Sequence, residues 1–178
     1  PNDVKKGERI LVDDGKLLFE ILNTNGVDEV KAKVIQGGIL SSKKGVNLPN
    51  TKLSLPALTN KDKKDALFAL EQGVDWIALS FVRHAKDLKK LEKLIRNNSE
   101  YKVPIIAKIE KPEGVANIKK IVAYCDGIMV ARGDLGVEVP AEEVPLIQKK
   151  LVLIAKKARI PVIIATQMME TMIDSLTP

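Results

Sequence analysis

The sequence predicts an α/β fold in which a small antiparallel β region is followed by repeated helix–strand units. Short alternating segments separated by glycine turns fill the first part of the chain, as in antiparallel sheets. Helical periodicity then alternates with short apolar runs, which is typical of parallel strands covered by helices. The pattern changes in a proline-containing segment at 49–56, so we predict two domains, residues 1–53 and 54–178.

The first predicted domain contains the turn residues of an antiparallel sheet. The turn signal DDG lies at 13–15, and the dipeptide NG at 25–26 is strongly associated with β-hairpins. Apolar residues largely alternate with lysines at 30–35, which predicts a half-buried strand.

The second predicted domain contains four helix–strand pairs. Helices are predicted at 59–72, 85–97, 113–124 and 141–159, and apolar strands at 74–81, 103–110, 127–131 and 161–166. Thr59 is a suitable N-cap for the first helix, and Gly73 is a stop signal after it. Trp76 is predicted to lie in the core with its strand.

Two architectures contain such units: a doubly wound sheet and a (β/α)8 barrel. No glycine-rich phosphate-binding fingerprint follows any predicted strand, which argues against a dinucleotide-binding fold. Polar residues instead gather at the C-terminal ends of the strands, as in barrel enzymes. We therefore predict a partial (β/α)8 TIM barrel of four βα units, with the antiparallel β domain at its N-terminal end. Half a barrel leaves two strand edges unpaired, so we expect the isolated chain to pair with a second copy or to be marginally stable.

Composition narrows the class of protein. Of the 178 residues, 45% are hydrophobic and 29% charged, and no apolar run approaches the roughly 20 residues of a membrane-spanning helix. The net charge is +6, but aromatic residues are only 3% and the lysines are spread among acids, which favours anionic small molecules over nucleic acid. The single cysteine, Cys125, lies in an apolar segment and predicts a core thiol in a reducing cytoplasm.

Three predicted strand ends carry the residues that indicate chemistry. Lys108 and Glu110 alternate along one strand, so both face the same side at its C-terminal end. Asp134 follows the next strand and is preceded by Gly133, and glycine exposes backbone N–H groups to anions. Thr166 is the first hydroxyl after the last strand. Taken singly, each of these has a structural explanation, such as a salt bridge or a turn, and their coincidence favours an active site.

The two carboxylates favour a divalent metal. Glu110 and Asp134 would come from consecutive strands and lie close together at their ends. Two oxygen ligands with open positions suit Mg²⁺, or Mn²⁺, which also binds waters and substrate oxygens. Two neighbouring carboxylates repel each other, so a cation is the natural occupant.

These motifs together resemble the pyruvate kinase family, and in the family's order they cover essentially the whole chain. They are KKGVNLP at 43–49, SFVR at 80–83, KIE at 108–110, EGV at 113–115, DGIMVARGDLG at 126–136 and ATQM at 165–168. The resemblance implies phosphoryl transfer from phosphoenolpyruvate to ADP, giving pyruvate and ATP in glycolysis. It also implies a homotetrameric, cytoplasmic full-length protein that binds neither nucleic acid nor membrane.

The resemblance implies a role for each site residue. Lys108 stabilises the transferring phosphoryl group and the enolate oxygen, and Glu110 and Asp134 hold the divalent metal. The backbone at Gly133, the Asp134 carboxylate and the Thr166 hydroxyl contact the substrate, with Thr166 linked to protonation of the methylene carbon.

The resemblance also gives Lys44 the role of reaching the nucleotide phosphates. Two positions depart from the family's pattern: Lys111 stands where the family usually has asparagine, and Asn50 where it usually has glycine.

Parts of the family's enzyme lie outside this sequence. The chain has no initiator Met, and we interpret it as a piece of a longer protein. By resemblance, the arginine for the substrate phosphate and the ligands of K⁺ precede it, and the last barrel strand and a regulatory domain follow it. We therefore expect the isolated chain to be inactive.

Two alternative functions stay open from the sequence. Other Mg²⁺-dependent barrel enzymes of phosphoenolpyruvate-type substrates, such as lyases or aldolases, use similar carboxylates, although the β domain argues against them. A non-catalytic interaction module is the second alternative. His84, the single histidine, is predicted to be a solvated loop residue, and Met168, Met169 and Met172 to pack on a partner surface.

Overall fold

The computed structural model describes residues 1–49, 51, 54–166 and 173, and it divides the chain into two units. The first unit comprises Pro1–Pro56 and the later segment Gly136–Ala141, and the second comprises Ala57–Leu135 and Glu142–Pro178. Asn50 and the three C-terminal methionines named above lie outside the described residues. Nothing in the sequence pattern indicated that Gly136–Ala141 belongs with the first unit.

The first unit is a four-stranded antiparallel sheet. Its strands are β1 (Arg9–Val12), β2 (Leu17–Thr24), β3 (Val30–Gln36) and β4 (Val46–Asn47), in the order β3-β2-β1-β4. Asp13 and Asp14 adopt left-handed φ angles of 54° and 56° in the turn after β1. After β2, Asn25 accepts three backbone N–H bonds through Oδ1, so both predicted turns are confirmed.

Strand β3 differs from the prediction of a half-buried strand. It is exposed along nearly its whole length, and even Val34 and Ile35 are exposed. The reason is its position at the edge of the sheet, where it pairs with β2 alone among the described strands. The apolar side chains that the first unit buries come from other segments and include Leu17 and Ile21 of β2.

The second unit is built on a four-stranded parallel sheet in the order β5-β6-β7-β8. The strands are β5 (Ile77–Leu79), β6 (Ile105–Ile109), β7 (Gly127–Ala131) and β8 (Val162–Ala165). The helices are α1 (Asn60–Glu71), α2 (Ala85–Asn98), α3 (Pro112–Ala116), α4 (Ile118–Ile121), α5 (Arg132–Glu138) and α6 (Val144–Ala158). The α/β class with one antiparallel and one parallel sheet is therefore as predicted.

The start of α1 shows why these helices begin where the sequence indicates. The Oγ1 of Thr59 accepts the backbone N–H of Asp62, and the Asp62 carboxylate accepts the N–H of Thr59 at 2.7 Å. This reciprocal capping box satisfies two of the N–H groups that a helix leaves unpaired. At the other end, Gly73 has a φ of 72°, a left-handed geometry that suits glycine after a helix.

One helix prediction was wrong in detail, and one helix was not predicted. The single helix predicted at 113–124 is two short helices, α3 and α4, separated at Asn117, whose side chain donates to the carbonyl of Arg83. The segment after β7, for which a turn was an alternative structural explanation, is helix α5. Leu135 is fully buried, and this packing offsets the low helix propensity of the glycines.

Alternation along β6 separates a buried face from a partly open one. Ile105, Ala107 and Ile109 are buried on one face, whereas Ile106 and Lys108 on the other face are only partly covered. The prediction for Trp76 was wrong: the residue is 46% exposed, and it lies just before β5, which begins at Ile77.

Cys125 is a buried free thiol, as predicted. Burial raises its pKa to about 11, so very little thiolate forms near neutral pH. We expect iodoacetamide at about pH 8 to modify the folded chain far more slowly than the same chain in guanidinium chloride. Mass spectrometry of quenched samples measures both rates, and equal rates would contradict the burial.

The same pKa shift gives a sign for the pH dependence of stability. Below the ordinary value of 9.0 the thiol is protonated in both the folded and the unfolded chain. Between 9.0 and about 11, the unfolded chain releases the proton first, so this group lowers the free energy of unfolding as pH rises.

Among the described residues, no helix combines the length and apolar character required to cross a membrane.

Candidate active site

The centre of the site is an ion pair at the C-terminal end of β6. The Nζ of Lys108 lies 2.6 Å from Oε1 of Glu110, so the two side chains share the face that strand alternation predicts. Glu110 is only 1% exposed, whereas Lys108 is 25% exposed. The ammonium group is therefore partly open to solvent, and the carboxylate that holds it is buried.

The second oxygen of Glu110 is also bonded within the protein. Its Oε2 accepts the backbone N–H of Phe81 at 2.7 Å. Phe81 follows β5 and adopts a left-handed φ of 55°, which is unfavourable for an aromatic residue and marks a constrained turn. An ionised carboxylate offers about four acceptor positions, so each oxygen of Glu110 still has a lone pair that can accept another donor or a metal ion.

Ser80 provides the second partner of the ammonium group. Its Oγ accepts a hydrogen bond from Nζ of Lys108 at 3.0 Å. Ser80 and Phe81 belong to the SFVR motif at 80–83, but the sequence pattern alone indicated no role for either residue. Their contacts depend on the pairing of β5 with β6, in which Leu79 lies opposite Ala107.

Asp134 follows the C-terminal end of the neighbouring strand, β7. Ile109 of β6 is in register with Val130 of β7, and Asp134 lies in the first turn of α5, directly after β7. Two carboxylates at adjacent strand ends have the oxygen chemistry of a magnesium site, which takes one or two carboxylates and completes its shell with water and substrate. Searched over the described part of the chain, no group of three or more His, Cys, Asp or Glu residues forms a metal cage.

The ends of β7 and β8 are connected through Thr166. The N–H of Gly133 donates to Oγ1 of Thr166 at 3.3 Å. The Arg132 guanidinium donates to the Thr166 carbonyl, with Nε at 3.2 Å. Thr166 has a φ of 65°, a strained value for a β-branched residue, and these bonds help to hold it there.

Lys111 is buried immediately after Glu110. Its Nζ lies 6.0 Å from the centroid of the Phe81 ring, the outer limit of a cation–π contact. The residue that departs from the family's pattern thus contacts the same turn that binds Glu110. The sequence signalled the substitution but not the burial.

Lys44 belongs to the first unit, where it forms an ion pair with Asp13 at 2.9 Å. The hydrogen bond from Lys44 lowers the pKa of Asp13 below its usual value. Lys16 pairs with the same carboxylate at 3.3 Å. The first unit thus presents a small cluster of two lysines around one aspartate.

His84 is not a solvated loop residue as predicted. It is the N-cap residue of α2, is half-buried, and its Nδ1 lies 3.0 Å from Nδ2 of Asn117. The buried carboxylate of Asp87 accepts the N–H groups of Arg83 and His84 and so stabilises the same helix start.

Comparison with known proteins identifies the family. The family model "Pyruvate kinase, barrel domain" matches residues 1–178. The chain is 52% identical to pyruvate kinase 2 of Synechocystis sp., covering 99% of this chain and 30% of that protein. It is 49% identical to a pyruvate kinase of Corynebacterium glutamicum, covering 99% and 37%, and 50% identical to one of Geobacillus stearothermophilus, covering 96% and 29%. The chain thus spans about a third of the length of these relatives, and it belongs to the pyruvate kinase family.

Proposed function

We propose that the complete protein containing this chain is a pyruvate kinase, which transfers a phosphoryl group from phosphoenolpyruvate to ADP to give pyruvate and ATP. The observation that carries the proposal is the partly open Lys108 ammonium, held by buried Glu110 at the end of β6, next to the strand that Asp134 follows. The family membership supports it over the whole chain.

The residues suit this chemistry because phosphoryl transfer depends mainly on positioning and charge stabilisation. The reaction needs no protein nucleophile, since the phosphoryl group passes directly to an oxygen of ADP. Lys108 is proposed to bind the phosphoryl group and the enolate oxygen, which share the negative charge during transfer. The partial burial of its side chain reduces competition from water and strengthens that interaction.

We propose that Glu110 and Asp134 hold the divalent metal, Mg²⁺ or Mn²⁺. Their oxygen donors match the preference of these ions, and the unused lone pairs of Glu110 leave it able to coordinate. When bound, the metal supplies charge neutralisation for the substrate oxygens. K⁺ is implied by the family, with ligands outside this chain.

The remaining substrate contacts lie at the ends of β7 and β8. We propose that the backbone of Gly133, the carboxylate of Asp134 and the hydroxyl of Thr166 bind the substrate. Their support is the hydrogen bond between Gly133 and Thr166, which brings two of the three together. Thr166 would then lie near the methylene carbon that is protonated to form pyruvate.

We propose that Lys44 binds the nucleotide phosphates. This requires a phosphate to take the place of Asp13 at its ammonium, and the neighbouring Lys16 would keep Asp13 paired during that exchange. The departure of Lys44 from Asp13 is favoured when a more highly charged anion arrives.

The architecture of the complete protein follows the same proposal. Four parallel strands are half of an eight-stranded barrel, so residues 54–178 are proposed to form half of the catalytic (β/α)8 barrel. Residues 1–53 are proposed to form most of the small lid domain. The complete protein is proposed to be a cytoplasmic homotetramer, and the isolated chain to form dimers or to be marginally stable.

The test of function compares the complete protein with the isolated chain. With phosphoenolpyruvate, ADP, Mg²⁺ and K⁺, we expect the complete protein to form pyruvate, measured by coupling to lactate dehydrogenase. The isolated chain is proposed to form none, because the resemblance to the family implies that the arginine for the substrate phosphate is not among its residues. Cleavage or aldol chemistry without ATP formation by the complete protein would replace the kinase with a barrel lyase or aldolase.

A further inference from the structure

The Lys108 ammonium has three N–H donors and two contacts within the protein. It forms an ion pair with Glu110, with Nζ 2.6 Å from Oε1, and it donates a hydrogen bond to Oγ of Ser80 at 3.0 Å. The hydrogen bond to Ser80 restricts the rotation of the ammonium group about its final carbon–nitrogen bond, and the ion pair with Glu110 holds its position. The directions of the remaining donors are therefore restricted by the protein before any substrate binds.

We propose that Ser80 is a positioning residue that aims the free donor of Lys108 at the transferring phosphoryl group. This inference rests on the proposed kinase function and adds a residue to it. Ser80 would not touch the substrate, because its contribution is to stop the ammonium from rotating about its contact with Glu110.

The geometry of the two strands explains why Ser80 suits this role. β5 and β6 are parallel and in register, with Leu79 opposite Ala107, so the next residue of each strand brings Ser80 beside Lys108. The residue after Ser80 is Phe81, whose N–H binds Glu110 at 2.7 Å. Ser80 and Phe81, which follow β5, thus bind Lys108 and Glu110 at the end of β6.

The segment that carries Ser80 is followed by a buried residue, Val82. Val82 is fully buried, and the left-handed φ of Phe81 marks a constrained backbone directly after β5. Ser80 is therefore carried by a constrained segment, which a positioning residue requires, since misplacement of a reacting group by about 1 Å can cost about a hundredfold in rate.

The experiment is carried out with the complete protein and three variants: Ser80→Ala, Ser80→Thr and Ser99→Ala. We expect Ser80→Ala to lower kcat by about tenfold to a hundredfold and to change the KM for ADP little. Ser80→Thr keeps the hydroxyl and should recover most of kcat. Ser99 is a control in the segment that precedes β6, because its hydroxyl also makes hydrogen bonds within the protein: it donates to the Tyr101 carbonyl at 2.8 Å and accepts the Tyr101 N–H at 3.3 Å.

A double-mutant cycle with Lys108→Met separates positioning from a general loss of structure. If Ser80 acts through Lys108, Ser80→Ala causes no further loss of kcat once the ammonium is gone. A purely structural role would lower kcat by the same factor in both backgrounds and would overturn the inference.

The outcomes for the two proposals are distinguishable. Wild-type kcat in Ser80→Ala, with an active wild-type protein, rejects the role of Ser80 and leaves the kinase function in place. A complete wild-type protein that forms no pyruvate rejects the function, and the role of Ser80 with it.

Discussion

Replacing Lys108 with methionine lowers the kcat of the complete protein by about 10²–10³-fold while the fold persists. Methionine keeps an unbranched side chain but removes the ammonium group that binds Glu110 and Ser80. Loss of one preorganised group that stabilises developing charge typically raises the activation free energy by about 2.7–4 kcal/mol. Steady-state kinetics with phosphoenolpyruvate and ADP measure the change in kcat.

The control for this variant is Lys102→Met. Lys102 also forms an ion pair, with Asp126, but its side chain is exposed and lies before β6 rather than at its C-terminal end. We expect an unchanged kcat. Glu110 is buried and loses its charged partner in Lys108→Met, so the assay temperature is kept well below the unfolding midpoint of each variant. Near-normal turnover in Lys108→Met would refute the role of this lysine.

Replacing Gly114 with alanine destabilises the protein, although the same change usually stabilises a helix. Gly114 lies within α3, where alanine normally gains up to about 1 kcal/mol of helix propensity. A Cβ at this position would lie 2.5 Å from the carbonyl oxygen of Val82, a backbone atom that has little freedom to move. Overpacking of this kind typically costs about 1–3 kcal/mol, so the net effect has the opposite sign.

The steric conflict also reaches the active site. Val82 follows Ser80 and Phe81, which hold Lys108 and Glu110, so its displacement should lower kcat as well as the unfolding midpoint. Calorimetry and kinetics on Gly114→Ala test both effects. Gly45→Ala is the control, because no atom lies within 4 Å of its added Cβ and its φ is not left-handed. Equal or higher stability of Gly114→Ala would contradict this account of the packing.

Much of the fold could be predicted from the sequence because short-range physical rules govern it. Continuous apolar runs located all four parallel strands, and the cap residues located α1 to within one residue at each end. Alternation along a strand was sufficient to place Lys108 and Glu110 on one face. These features depend on interactions between residues that are close in the sequence, so they can be predicted from it.

Other features depend on contacts between distant residues. The role of Phe81 as a donor to Glu110 follows from the register of β5 and β6, and this register cannot be inferred from the sequence alone. Helix α5 forms because Leu135 is buried, despite two glycines that favour a turn. The same holds for Glu138, which is buried and accepts a hydrogen bond from Asn47, far away in the sequence.

The most direct test of the central claim is the position of a divalent metal in the complete protein. We predict that anomalous scattering from a crystal grown with Mn²⁺ and phosphoenolpyruvate shows one peak in coordination with both Glu110 and Asp134, with Nζ of Lys108 against the phosphoryl oxygens. A peak elsewhere, with the two carboxylates turned away from each other and Lys108 remote from the substrate, would contradict the proposed site.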